Sequence, residues 1–383
     1  MSQPGPAQPP PEAPAPWRAE GRARFQVGAA FYNPASGVSR DLGVLAAAVL
    51  RAERGSLRLL DATSGCGVRA LRYGLESGAT WLGVNEANPD LHDLLATNLA
   101  PLGGDRLRLT HDHAGHLLAA CAAQRDYYDF IDLDCFGSAA PYLQPALQAL
   151  SLGGLLYVTS TDGRAATGHQ PEASLRAYGA FARAHPAARE QALRLLLGAL
   201  QQTAACLDLG LQPGFAFWAG TTYRVLVRLQ AQPVLSAENY GFLGYCHGCG
   251  EYQVVTWRKL GREHCPCGQP LTYSGPLWLG PLHSGQLLGA MRTWAATWQW
   301  SPRVALLDTL AAELDLPPYY YPLGEVGRRG QCDLPRRSHL LAALQAQGCR
   351  AAATHCEAAA VKTEATLADC VAIARQLQDR RHR

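Results

Sequence analysis

The sequence predicts an α/β protein, a Rossmann-like doubly wound sheet followed by a smaller α+β unit with a cysteine knuckle. Three observations point there. Short apolar runs alternate with helical stretches from about Phe25 to Gln230, the pattern of strands joined by helical crossovers. The first such strand runs into a glycine-rich turn, Asp61-Ala62-Thr63-Ser64-Gly65-Cys66-Gly67. Further on, four of the twelve cysteines fall in one short window, 246–267. With 383 residues, 48% of them hydrophobic, the chain can bury two cores without disulfides.

Taken in order, residues 1–24 are rich in Pro, Ala and Gln and offer little beyond Trp17 to bury, so a mobile tail is expected. Strands are expected at 57–60, 81–84, 107–110, 130–133, 155–159 and 223–229. Helices are expected at 41–51, 67–77, 90–99 and 188–207, several opening on a polar cap or closing at Gly. Six strands with right-handed crossovers make one domain over 25–233. The second, 234–383, carries the clustered cysteines, Trp294 and Trp298 at helical spacing, and a last helix from about Ala365.

Charge and cysteine usage narrow the function classes. No run approaches the roughly 18 uncharged apolar residues of a membrane helix, and the N-terminus lacks the apolar core of a secretory signal. A cytoplasmic protein without membrane contact is expected, and nothing marks an obligate protein partner. Residues 1–233 carry 19 Lys+Arg against 19 Asp+Glu, whereas 234–383 carry 15 against 12. The basic excess, with Arg328, Arg329, Arg336, Arg337, Arg380, Arg381 and Arg383, makes the C-terminal part the expected polyanion surface.

The turn after the first strand is where an open α/β sheet holds a nucleotide-like ligand, because small residues let the backbone approach it. The spacing is not that of dinucleotide binders, and no lysine follows as a phosphate loop requires. S-adenosylmethionine (SAM) fits better, with Asp61, Ser64 and Gly67 forming the turn. Glu86, ending the second strand, is placed to accept from both ribose hydroxyls. Asp112, His113 and Ala114, after the third strand, are placed at the adenine.

The fourth strand ends in Asp132-Leu133-Asp134-Cys135-Phe136-Gly137-Ser138. An exocyclic purine amine is a poor nucleophile because its lone pair is delocalised into the ring. A carboxylate and a backbone carbonyl accepting its N–H bonds localise that pair and take up the released proton. Asp134 suits the carboxylate, the Cys135 carbonyl the helper, and Phe136 a platform stacking on the base. A plainer reading makes the two aspartates helix caps and Phe136 core. A third makes Cys135 a methyl-carrying nucleophile.

Phe31-Tyr32-Asn33-Pro34 with Arg40-Asp41, the 61–69 turn, the 132–138 run and Thr161-Asp162-Gly163 together resemble the tRNA (guanine-N2-)-dimethyltransferase family. So do residues 275–282, Thr354-His355 and Val361-Lys362-Thr363-Glu364. The resemblance runs in order from about residue 25 to 370. It implies a class I SAM-dependent methyltransferase acting on guanine N2 in tRNA, with SAM contacts at Arg40, Arg69, Glu86, Asp112 and Ala114. It further implies a guanine held near Phe31 and Phe136 with Asp134 catalytic. The chain departs from the family in having Cys135 where Pro is usual and Glu86 where Asp is frequent.

Cys246-His247-Gly248-Cys249-Gly250 and His264-Cys265-Pro266-Cys267-Gly268 pair two close thiols with two more, each pair preceding Gly, as a knuckle turn requires. One structural Zn(II) on Cys246, Cys249, Cys265 and Cys267 is expected. The tight Cys-Pro-Cys spacing leaves His264 as an alternative ligand.

Overall fold

The structure, a computed structural model, describes residues 16–380. It opens on an antiparallel hairpin, β1 (Trp17–Glu20) and β2 (Ala23–Gln26), which corrects the expected tail as far as residue 24. Composition concealed it because its anchors lie far away in sequence. Ala23 and Phe25 bury against the core. Glu20 bridges Arg40 at 2.5 Å and Arg72 at 2.9 Å, two arginines that are themselves buried. Residues 1–15 of the expected tail, with Arg381 and Arg383, lie outside the described residues.

The main body runs α1 (Gly37–Arg54), β3 (Arg58–Asp61), α2 (Val68–Arg72), β4 (Trp81–Asn85), α3 (His92–Leu99), β5 (Leu107–Thr110), α4 (Ala114–Gln124), β6 (Tyr128–Asp134), α5 (Ala140–Gln148), β7 (Leu150–Ser160), α6 (Gly163–Ala166), α7 (Pro171–Tyr178), α8 (Ala188–Ala205), β8 (Gly210–Ala219) and β9 (Thr222–Gln230). Its sheet has the order β5-β4-β3-β6-β7-β9-β8. The first five strands are parallel and the last two antiparallel. Seven strands therefore replace the six expected. Gly210, Pro213 and Gly214 disguised β8 as a loop, yet Pro is tolerated on an edge strand, and the register shifts between Pro213 and Phe215.

The C-terminal part is α+β. A sheet of β10 (Tyr240–Tyr245), β11 (Tyr252–Val255) and β12 (Thr272–Trp278) is followed by α9 (Gly285–Thr297) and α10 (Ser301–Ala312). Then come β13 (Tyr321–Pro322), α11 (Leu323–Gly330), α12 (Arg337–Ala346), β14 (Ala351–Ala353), β15 (Ala360–Thr363) and α13 (Leu367–Asp379). Thr366 and Asp369 close a reciprocal capping box on α13.

The change at residue 233 marks a new sheet but not a new core. Leu287, Leu288, Met291, Leu307 and Leu310 of α9 and α10 share one apolar cluster with Leu42, Tyr73, Phe130 and Tyr157. Trp294 and Trp298 pack at its edge. Among the described residues no helix is long and apolar enough to cross a membrane.

Candidate functional site

The carboxyl ends of β3, β4, β5 and β6 converge on one crevice, where open α/β sheets place ligands. Gly65 and Gly67 leave β3 with φ of 59° and 82°, a conformation that favours glycine. A Cβ on Gly65 would lie 3.3 Å from the Phe31 carbonyl. Such bare backbone suits close approach by a ligand. Buried Asp61 accepts from Ser64 Oγ at 2.8 Å, while half-buried Glu86 accepts from the Gly65 amide at 2.8 Å and the Asn88 amide at 3.0 Å.

Asn85 joins three of these loops. Its Nδ2 donates to the carbonyls of Ala62 and Asp112, and its Oδ1 accepts from the Asp112 amide. The Asp112 side chain is exposed, the His113 ring lies 5.5 Å from that of Tyr142, and Ala114 is buried at the start of α4. Arg40 is held by Glu20 and the Asn33 carbonyl, its guanidinium 5.1 Å from the Tyr32 ring.

Three acids and two arginines fill the floor. Arg69 bonds Asp61 at 3.2 Å, Asp134 and the Thr63 carbonyl, and Arg224 reaches Asp134 at 2.8 Å. Burial opposes ionisation of Asp134, but Arg224 and Arg69 outweigh it and hold the carboxyl down at about 2. Asp132 is fully buried behind it, accepts from Tyr73 Oη at 2.7 Å, and is driven up by that burial. The two arginines thus keep Asp134, the more accessible of the pair, an acceptor at neutral pH.

Above the acids stand two bare aromatic rings. Phe31 and Phe136 are 65% and 72% exposed, edge to face with centroids 5.0 Å apart. Such exposure rules out the core reading of Phe136. Cys135, between Asp134 and Phe136, turns inward, and its thiol donates to the Thr159 carbonyl at 3.3 Å. Burial pushes it up to about 12, so the thiolate that a methyl-carrying nucleophile needs is disfavoured. The loop is clamped from behind, where the Gly137 amide donates to Thr161 Oγ1 at 2.7 Å and the Gly137 carbonyl accepts from the Thr161 amide.

Far along the chain, the thiols of Cys246, Cys249, Cys265 and Cys267 lie within 4.8 Å of one another. A tetrahedral metal with bonds of about 2.3 Å needs sulfurs roughly 3.8 Å apart. Contacts of 3.5 Å for Cys246–Cys267 and 3.3 Å for Cys249–Cys265 are near that spacing. His264 points instead toward the Arg262 carbonyl, so the four thiols, not the histidine, form the group.

Several side chains of the C-terminal part have partners within the protein. Arg329 donates to the carbonyls of His247 and Gly248 and pairs with Glu325, bracing the knuckle. Arg328 pairs with Glu325, and Arg337 caps the Ala358 carbonyl. Lys362 is buried against Glu190, and Tyr320 and Tyr321 are buried. Sequence reasoning missed Arg224 and Asn85, and it named Arg329 only for its charge, not for the brace it forms. Only Arg224 left a signal, a charge that shares the otherwise apolar strand Tyr223–Leu229 with Arg228 alone.

The chain matches the family described as N2,N2-dimethylguanosine tRNA methyltransferase over residues 20–375. Among curated proteins, the tRNA (guanine(26)-N(2))-dimethyltransferase of Pyrococcus abyssi is 31% identical, covering 88% of this chain and 90% of that protein. The enzyme of the same name from Aeropyrum pernix is 31% identical, covering 88% and 86%. The solved complex of Trm1 from Pyrococcus horikoshii with S-adenosyl-L-methionine superposes with a TM-score of 0.81 at 27% identity, covering 93% of this chain and 99% of that one.

Proposed function

The chain belongs to the N2,N2-dimethylguanosine tRNA methyltransferase family, and from that premise we propose that it transfers one or two methyl groups from SAM to the exocyclic N2 of a guanine in tRNA. It is a SAM-dependent methyltransferase of the class I fold, and the position printed for its relatives is guanine 26. The observation that carries the reading is the juxtaposition of an ionised Asp134 with the exposed Phe31–Phe136 pair beside the glycine turn.

The crevice suits SAM. The Gly65–Gly67 backbone would take its methionine end, with Arg40 and Arg69 setting the charge there. Glu86 would accept from the ribose diol, and Asp112, His113 and Ala114 would border the adenine. When bound, SAM supplies an electrophilic methyl group.

The chain's own residues do the rest. Phe31 and Phe136 part to sandwich a base extruded from the RNA, which fixes its amine in line. Asp134 and the Cys135 carbonyl accept the two N2 hydrogens and draw the lone pair out of the ring. The N–C bond would form as the methyl–sulfur bond breaks and S-adenosylhomocysteine leaves as a neutral thioether, which makes N2 cationic and far more acidic than a carboxylic acid. Even a carboxylate held at about 2 then takes the proton and passes it to solvent. The knuckle would hold one structural Zn(II), since four thiolates favour it over harder divalent ions.

Incubation with unmodified tRNA and methyl-labelled SAM, followed by nucleoside analysis, tests the reading. N2-methylguanosine or N2,N2-dimethylguanosine is expected in wild-type digests. Asp134→Ala should bind SAM and lose transfer by roughly 10²- to 10⁴-fold. Label appearing only in rRNA or DNA would overturn the tRNA assignment, and lost SAM affinity in the variant would move Asp134 into the cofactor pocket.

A further inference from the structure

The N-terminal hairpin has a chemistry of its own. Arg18, Arg22 and Arg24 are exposed, and among the described residues none of the three guanidiniums pairs with a carboxylate. The one acid of the hairpin, Glu20, is consumed by Arg40 and Arg72. Trp17 is 46% exposed, and the Arg24 guanidinium lies 5.2 Å from its ring. Trp17 and Arg24 share a face because Trp17 opposes Gln26 and Ala19 opposes Arg24 in the register. Arg18 lies on the other face, opposite Phe25 and over the Tyr32 ring, which leaves Arg24 and the turn residue Arg22 as uncompensated cations near an exposed indole; they match a nucleic-acid strand, whose phosphates take guanidiniums and whose bases stack on aromatic faces.

Its position matters as much as its composition. Phe25 of β2 packs its ring 5.2 Å from Tyr32, and Tyr32 Oη donates to Glu20 at 2.9 Å. Tyr32 adjoins Phe31, half of the aromatic pair above Asp134. Only four residues lie between Gln26 and Phe31, five steps along the chain, so the hairpin lies no more than about 18 Å of chain from that pair. Residues 1–233 balance 19 Lys+Arg against 19 Asp+Glu only with the hairpin arginines counted, so the rest of that half is net acidic and the hairpin is a local excess of cations.

We propose that the β1–β2 hairpin grips the substrate RNA beside the target guanine, Arg22 and Arg24 taking backbone phosphates and Trp17 stacking on a neighbouring base. The inference rests on the tRNA reading above and places part of the RNA grip on the catalytic half, away from the basic C-terminal part.

Binding of unmodified tRNA by the full chain should be measured against salt for wild type, Arg22→Ala/Arg24→Ala, Arg22→Lys/Arg24→Lys and Trp17→Ala. The double alanine variant should raise the tRNA Kd roughly tenfold and flatten the log–log salt slope by about one for each lost contact. SAM affinity should stay at the wild-type value. The lysine pair should recover the slope, and Trp17→Ala should weaken binding with the slope unchanged. If the alanine pair binds tRNA with wild-type affinity and slope while wild type methylates it, the grip is overturned and the methylation reading stands. If the arginines govern tRNA binding but wild type transfers no label, the grip stands and the methylation reading falls.

Discussion

In the proposed chemistry Asp134 serves only as an anion, and its anionic state depends on neighbours from two distant elements. Arg224, 1% exposed on β9, approaches at 2.8 Å, and Arg69 on α2 closes the other side. Removing Arg224 takes away the largest influence opposing burial. Arg224→Met should therefore raise the Asp134 carboxyl well above its present value of about 2, by about 1–3 units for a lost adjacent charge. A protonated Asp134 cannot take up the amine proton, so activity should fail at a higher pH than in wild type. The acid limb of the kcat/KM profile moves up, and Arg224→Lys moves it back. A uniform loss of rate with an unmoved limb would assign Arg224 a packing role.

The knuckle is an element too small to hold itself. Its apolar cluster is Cys246, Cys265 and Leu271, with Cys249 and Tyr273 against it, and a cluster of that size cannot offset the ordering of two loops. A bound metal can, because its binding free energy enters the folding free energy. Purified protein should carry about one zinc per chain. Cys249→Ser should lose it and open residues 256–268 to proteolysis, while SAM binding persists because the crevice lies on another sheet. A metal content near zero after gentle preparation, with the loops protected, would sink the zinc assignment. Arg329 adds a second brace from α11, through the carbonyls of His247 and Gly248.

The two halves are joined by buried groups as well as shared apolar clusters. His185, ahead of α8, accepts the Ala187 amide on Nδ1 at 3.2 Å, so its Nε2 donates to Gln191 Oε1 at 2.7 Å, and Tyr252 of β11 lies against it. Protonating Nδ1 would set two donors face to face. Burial holds His185 down at about 4 and His283, packed by α9 and close to Glu313, His355 and Lys362, down at about 3. Both folded values lie below the unfolded 6.5. The stability these neutral rings contribute is thus full above pH 6.5 and is lost as pH falls toward 4 and 3. Raised Asp132 has the opposite sign, contributing below the unfolded carboxylate value and losing its share as pH rises through about 6. Urea unfolding should show stability dropping from pH 6.5 to 5 by roughly 2 kcal/mol for each histidine, less the Asp132 offset. His185→Gln should flatten that slope, and an unchanged slope would refute the assignment.

The glycine turn, the strand-end acids, Asp134 with its aromatic neighbour and the four-thiol spacing were all legible along the chain. Each is a local pattern, in which a period of two or 3.6 residues, or a spacing between ligands, encodes its own geometry. The hairpin at residues 17–26, the edge strand with Pro213 and the role of Arg224 were not. The edge strand is hidden by its glycines and Pro213, whereas the hairpin and Arg224 depend on partners 20 to 90 residues away, such as Glu20 with Arg40 and Arg72, or Asp134 with Arg224. A segment that looks too polar to order itself is ordered when distant charges need its carboxylate. A new sheet begins after residue 233, as the composition suggested, but the sequence did not show that helices beyond it share an apolar cluster with the first half, because apolar burial joins whatever surfaces the folded chain brings together.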